Sequence, residues 1–125
     1  MKNLSLLILL SILISCNKAT NSNIVGQWDL IHRVANGQVI DLDSLGSDFS
    51  LVFNSDQTGQ SIVSTIAINE FTWDLNYTDQ IITVTFNLSG DTTNILVLEK
   101  NGNTLKTHFY DHQVGCHVED TYEKQ

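Results

Sequence analysis

Near the C-terminus, His108, Cys116, His117 and Glu119 lie within a short stretch, and these are side-chain types that ligate metals or attack carbonyl groups. Cys116-His117 suggests a thiol–imidazole dyad, but neighbours in an extended strand point to opposite faces, so the two cannot pair there. A hairpin register of odd sum puts Cys116 on the face of Phe109 and Val118, where a buried, inert thiol is expected. The same register gathers His108, His117 and Glu119 on the other face, where two imidazoles and a carboxylate can hold Zn²⁺ or Cu²⁺. Lys106 falls on that face too, which favours an ordinary solvated surface, and no metal or other cofactor is expected. Hydrolase, kinase and redox signatures such as Gly-x-Ser-x-Gly, His-Glu-x-x-His and Cys-x-x-Cys do not occur, and an enzyme is not expected.

The elements that must position these residues are strands. The chain contains no Pro, is rich in Thr, Val, Ile and aromatic residues, and alternates apolar with polar positions in short runs separated by Gly, Asn, Asp and Ser clusters. Runs are read at Val25–Val34, Gln38–Ile40, Phe49–Phe53, Ile62–Ile68, Phe71–Leu75, Ile81–Leu88, Asn94–Lys100, Leu105–Phe109 and Cys116–Glu123. Asn36-Gly37 is a strong two-residue hairpin turn, and Asn69-Glu70 is read as a break between two strands. Asp41–Gly46 and Asn54–Gly59 have the acidic spacing that begins a calcium loop. Leu45 occupies a ligand position in the first, however, and Val52 and Thr65 stand where the closing Glu belongs, so both read as acidic turns. Trp28, Phe49, Phe53, Phe71, Trp73, Phe86 and Phe109 share the apolar parity of their strands and are expected to point inward. His32 shares the parity of Trp28 and Leu30 and is read as a polar group inside. On its own face of the first strand, Arg33 is read as facing outward.

A meander of about eight antiparallel strands hides its edges by closing into a small barrel or folding into a sandwich. Gly26-Gln27-Trp28 resembles the Gly-x-Trp signature of lipocalins. Phe53-Asn-Ser-Asp56-Gln-Thr-Gly59, Phe71-Thr72-Trp73 and Leu98-x-x-Asn101-Gly102-x-x-Leu105 are similar to the lipocalin-like lipoprotein domains of Bacteroidetes. The resemblance covers Ile24 to Glu123 and implies an all-β fold, a small up-and-down antiparallel β-barrel.

At the N-terminus, Lys2, the apolar run Leu4–Ile14 and Ser15 form an export signal too short to cross a hydrocarbon core of roughly 30 Å as a permanent span. Leu13-Ile14-Ser15-Cys16 resembles the lipobox of bacterial lipoproteins, which implies that Cys16 is acylated and becomes the first mature residue. The expected organisation is a signal peptide over 1–15, a lipidated Cys and flexible tether over 16–23, and a barrel over 24–125. Residues 1–15 contain one charged residue, Lys2, so the remainder holds five basic and fourteen acidic residues, a formal charge of −9. Such a surface repels nucleic acid and anionic head groups, leaving lipid on Cys16 to supply membrane affinity. By the same resemblance, Asn17 in place of the Asp of an inner-membrane retention signal, and no acidic pair after Cys16 of the kind that marks surface export in Bacteroidetes, imply the periplasmic leaflet of an outer membrane. The function expected is binding of a small apolar or amphipathic ligand inside the barrel, with Trp28, Phe53, Trp73 and Phe86 lining the cavity and His32 as its polar group. The alternative is an envelope interaction module with a filled barrel, and a weaker one is metal handling by His108, His117 and Glu119.

Overall fold

A computed structural model describes residues 18–43 and 48–125 of the chain. The described part holds a short helix α1 (Asn21–Ile24) and strands β1 (Gly26–Ala35), β2 (Gln38–Ile40), β3 (Phe49–Phe53), β4 (Thr58–Val63) and β5 (Ile66–Asn76). Strands β6 (Ile81–Phe86), β7 (Thr92–Asn101), β8 (Thr104–Asp111) and β9 (Cys116–Lys124) follow. From β3 to β9 each strand pairs antiparallel with its successor, and β9 pairs with β1 to close the sheet. β2 lies beside Arg33–Ala35 and β3 beside Gly26–Asp29, both along the same edge of β1. The two act as one strand interrupted between Ile40 and Phe49, and the result is the expected closed, up-and-down barrel of eight antiparallel strands.

Because strand direction alternates, the turns divide between two ends. The Asn36-Gly37, Ser64-Thr65, 87–91 and 112–115 turns gather at one, and α1 with the 54–57, 77–80 and 102–103 turns at the other. Apolar alternation fills the second end. Ile24, Trp28, Phe53, Phe71, Trp73, Ile82, Leu105 and Tyr122 are all buried there or just above it. Edge-to-face rings run upward from it, with centroids 5.4 Å apart for Trp73 and Phe53, 5.7 Å for Phe53 and Phe71, and 6.2 Å for Phe71 and Phe86.

The segment expected to be a tether up to Asn23 is folded from Ala19 onward. Ala19 is buried, its N–H donates to Gln80 Oε1 (2.8 Å), and Gln80 Nε2 donates to its carbonyl (3.1 Å). Thr20 caps α1 in a reciprocal box with Asn23, and α1 delivers Ile24 beneath Trp28, whose indole N–H donates to the Ile24 carbonyl at 2.8 Å. Polar composition concealed this, because only two apolar residues, Ala19 and Ile24, make the seal. Cys16 and the signal stretch lie outside the described residues.

Three β-bulges break the simple alternation. One extra residue is inserted at Ile31, at Ile68 and at Leu98, and all three side chains turn outward and are exposed. Past Ile31 the phase of β1 inverts, so His32, expected inside, is exposed on the outer wall, and Arg33, expected outside, points in toward Asp120. Past Leu98 the same inversion carries Lys100 inward, where it is buried with its ammonium 5.9 Å from the Trp28 ring centroid. The expected break at Asn69-Glu70 is absent, since β5 runs through it. The chain reverses instead at Ser64-Thr65, both at positive φ (51° and 70°) without a glycine.

Gly59 is required by close approach: a Cβ there would overlap the Phe71 ring and the Val52 carbonyl. Gly59→Ala is expected to cost about 2 kcal/mol through overpacking, read in a thermal melt as a loss of roughly 10 °C in Tm.

Candidate functional site

Among the described residues, the end opposite α1 is open. A pocket of about 1110 Å³ enters there, walled by the start of β5 (Ile68 to Glu70), the end of β6 and its turn (Phe86 to Ser89, Asp91), the start of β7 and the end of β8 with its turn (Phe109 to Gln113). Phe86 and Phe109 come from inward-facing positions and supply apolar wall. Phe86 also caps the aromatic column rising from the closed end, so the floor of the pocket is continuous with the packed core. Of the five residues expected to line a ligand cavity, only Phe86 is among those lining this pocket. Trp28, Phe53 and Trp73 are instead packed into the closed end, with the Trp73 indole N–H directed to the carbonyls of Thr58 (3.0 Å) and Asn54 (3.2 Å). Sequence parity placed all of them inside, which is where they are, but parity carries no information on height along the barrel axis. His32 lies outside for the reason of phase given above. The pocket also takes Phe109, one of the inward aromatics, together with Tyr110, His112, Glu70, Asp91 and Asp111. The available signal for these was their clustering at strand ends of one direction, toward the 87–91 and 112–115 turns.

Inside the barrel, Arg33 makes a bidentate pair with Asp120, Nε to Oδ1 at 2.7 Å and Nη2 to Oδ2 at 2.8 Å. The carboxylate is fully buried while the Arg33 side chain is 28% exposed, so the guanidinium shields the carboxylate from the open side. Tyr122 adds its hydroxyl to Asp120 Oδ2 at 3.2 Å. The hydrogen bond to Asp120 holds the Arg33 pKa above its already high ordinary value. Burial, then the Asp120 charge, pushes the Tyr122 phenol well above its usual range. Since its folded value exceeds its unfolded value, near 10, Tyr122 supports folding fully below that pH. The support is lost as pH rises from there through the folded value, because only the unfolded chain then gives up the proton readily. Ser61 is also buried, at 4% exposure, on the inner face of β4 and opposite Asn69 in register. Its hydroxyl has no protein partner among the described residues.

On the outer wall, the β8–β9 register brings His108 opposite Glu119 and Tyr110 opposite His117. The imidazoles of His108 and His117 stack with centroids 5.1 Å apart, and His117 Nδ1 meets His108 Nε2 at 3.2 Å. The expected shared face is therefore present, but among the described residues no group of three or more His, Cys, Asp and Glu side chains is arranged to hold a metal. Cys116 is half-buried on the opposite face from His117, and is a free thiol. In the Asn54–Gly59 turn, Asp56 Oδ1 accepts from both the Thr58 hydroxyl (2.6 Å) and the Thr58 N–H (3.1 Å). These bonds, the hydroxyl first, draw the Asp56 pKa below the ordinary carboxylate value, and the carboxylate is committed to the turn. Ser44 and Leu45 of the other acidic loop lie outside the described residues.

Searches against protein-family models, curated proteins and solved structures return no match for this chain.

The asymmetry of the internal ion pair predicts unequal costs. Arg33→Met leaves a fully buried carboxylate unpaired and is expected to lose close to 5 kcal/mol in urea denaturation, whereas Asp120→Asn leaves a partly hydrated guanidinium and loses about 3 kcal/mol. Equal losses would contradict the shielding role of Arg33.

Proposed function

We propose that this protein is a lipocalin-like exported lipoprotein, anchored through Cys16 to the periplasmic leaflet of an outer membrane, which binds a small apolar or amphipathic molecule and does no covalent chemistry. The observation that carries the binding reading is the pocket of about 1110 Å³ at one end of a barrel whose other end is packed shut. A filled barrel acting purely as an interaction module would leave no such volume, and pockets for small molecules start near roughly 300 Å³. Phe86 and Phe109 offer apolar surface for burial. The polar groups around them orient the occupant.

The anchor reading is supported by the lipobox-like Leu13-Ile14-Ser15-Cys16. It agrees with the direction in which the chain leaves the barrel, since Lys18 and Ala19 sit at the closed end, against the 77–80 turn. Lipid on Cys16 would then hold the closed end toward the membrane and leave the mouth facing away from it.

N-Phenyl-1-naphthylamine, an uncharged environment-sensitive fluorophore, is expected to brighten on addition of the protein. Phe86→Ala and Phe109→Ala should each weaken that binding about tenfold by removing apolar contact. No change in emission, or emission indifferent to both substitutions, would contradict binding at the mouth.

A further inference from the structure

Resting on the reading that the mouth pocket binds a small molecule, we infer that its ligand is an amphipathic cation: an apolar or aromatic body bearing a protonated amine or quaternary ammonium group. The pocket itself is defined by its volume and its aromatic wall, and the distribution of charge around it selects among possible occupants.

Three acidic residues are among those lining its rim, from three separate elements: Glu70 on β5, Asp91 in the β6–β7 turn and Asp111 at the end of β8. No lysine or arginine is among its lining residues. The described lysine and arginine side chains are all placed elsewhere. Lys100 and Lys124 sit over the Trp28 ring at the closed end, with Lys124 Nζ 5.5 Å from the ring centroid, and Lys18 lies over Tyr77 beside them. Lys106 is on the outer wall opposite Glu99, and Arg33 is bound in bidentate fashion to Asp120. Asp111 adds to the negative field at Arg33, while its Oδ1 also accepts the Gln113 N–H at 2.9 Å.

A concave site walled on one side by protein and bordered by one sign of charge focuses potential on its interior. A cation entering it gains that potential and also the negative ring faces of Phe86 and Phe109. An anion of the same shape meets Glu70, Asp91 and Asp111, with the single imidazole of His112 as the basic side chain among the described lining residues.

The test is calorimetric titration of the full chain at neutral pH with three naphthalenes of matched size: 1-naphthylmethylamine (cation), 1-naphthalenemethanol (neutral) and 1-naphthoate (anion). At low salt the amine is expected to bind about tenfold more tightly than the alcohol, and the alcohol more tightly than the acid. The gap between amine and alcohol should narrow as salt screens the carboxylates. In the double variant Glu70→Gln with Asp91→Asn, which keeps Asp111, the preference for the amine over the alcohol is expected to shrink several-fold. An alcohol that binds as tightly as the amine, or an amine preference that survives both salt and the double variant undiminished, overturns the cationic assignment while leaving a binding pocket in place. Failure of all three compounds, together with no response from N-phenyl-1-naphthylamine, overturns the pocket reading itself.

Discussion

Burial of Trp28 is the constraint on which the rest of the structure depends. The side chain is fully buried, and an indole so placed needs a partner for its N–H, which the Ile24 carbonyl supplies. That single bond fixes where α1 must sit, and the Ala19–Gln80 bonds fix the approach of the chain to α1. The ring face left over is covered by the ammonium groups of Lys100 and Lys124. One end of the barrel is thereby sealed by residues from its first segment, its first strand, its seventh and its last. An eight-stranded barrel is just wide enough to be filled or to hold one small ligand. This one does the former at the Trp28 end, where the aromatic column starts, and the latter at the end where Phe86 finishes it.

The bulges give the barrel a polar interior without unpaired charge. Alternation alone would place Arg33 and Lys100 in solvent and leave the Asp120 carboxylate, buried by its own strand's phase, with no counter-ion. One inserted residue before Arg33 turns it onto Asp120, and one before Lys100 turns it onto Trp28. An ion pair of this kind adds little net stability, but it is expensive to break. The insertions are themselves apolar, and they account for Ile31, Ile68 and Leu98 among the exposed hydrophobic residues.

Much of the fold was legible in the sequence because period-two alternation is a direct imprint of a half-buried sheet. The all-β meander, the inward parity of Trp28, Phe53, Trp73, Phe86 and Phe109, and the shared face of His108 and His117 all follow from it, while the choice of barrel over sandwich came from the resemblance to lipocalins and the Asn36-Gly37 turn from its own turn chemistry. What was not legible has physical causes. A bulge adds a residue that looks like any other apolar position, so the phase error it introduces is silent, and His32 and Arg33 exchanged sides as a result. The Ser64-Thr65 reversal has no glycine to announce it, and the break was therefore sought at Asn69-Glu70. The site was read only in part, since alternation tells inside from outside but not the sealed end from the open one. Trp28, Phe53 and Trp73 were therefore grouped with Phe86, although they serve the opposite end of the barrel.

The central claim is that the barrel is closed at Trp28 and receives its ligand at Phe86 and Phe109. Two-dimensional NMR of the protein with and without saturating N-phenyl-1-naphthylamine tests it most directly. The account predicts that the indole N–H signals of Trp28 and Trp73 exchange slowly with solvent and do not move on binding. Shifts should instead concentrate at Phe86, Phe109 and the 87–91 turn. Rapid exchange of the Trp28 indole proton, or ligand-induced shifts centred on Trp28, would contradict it.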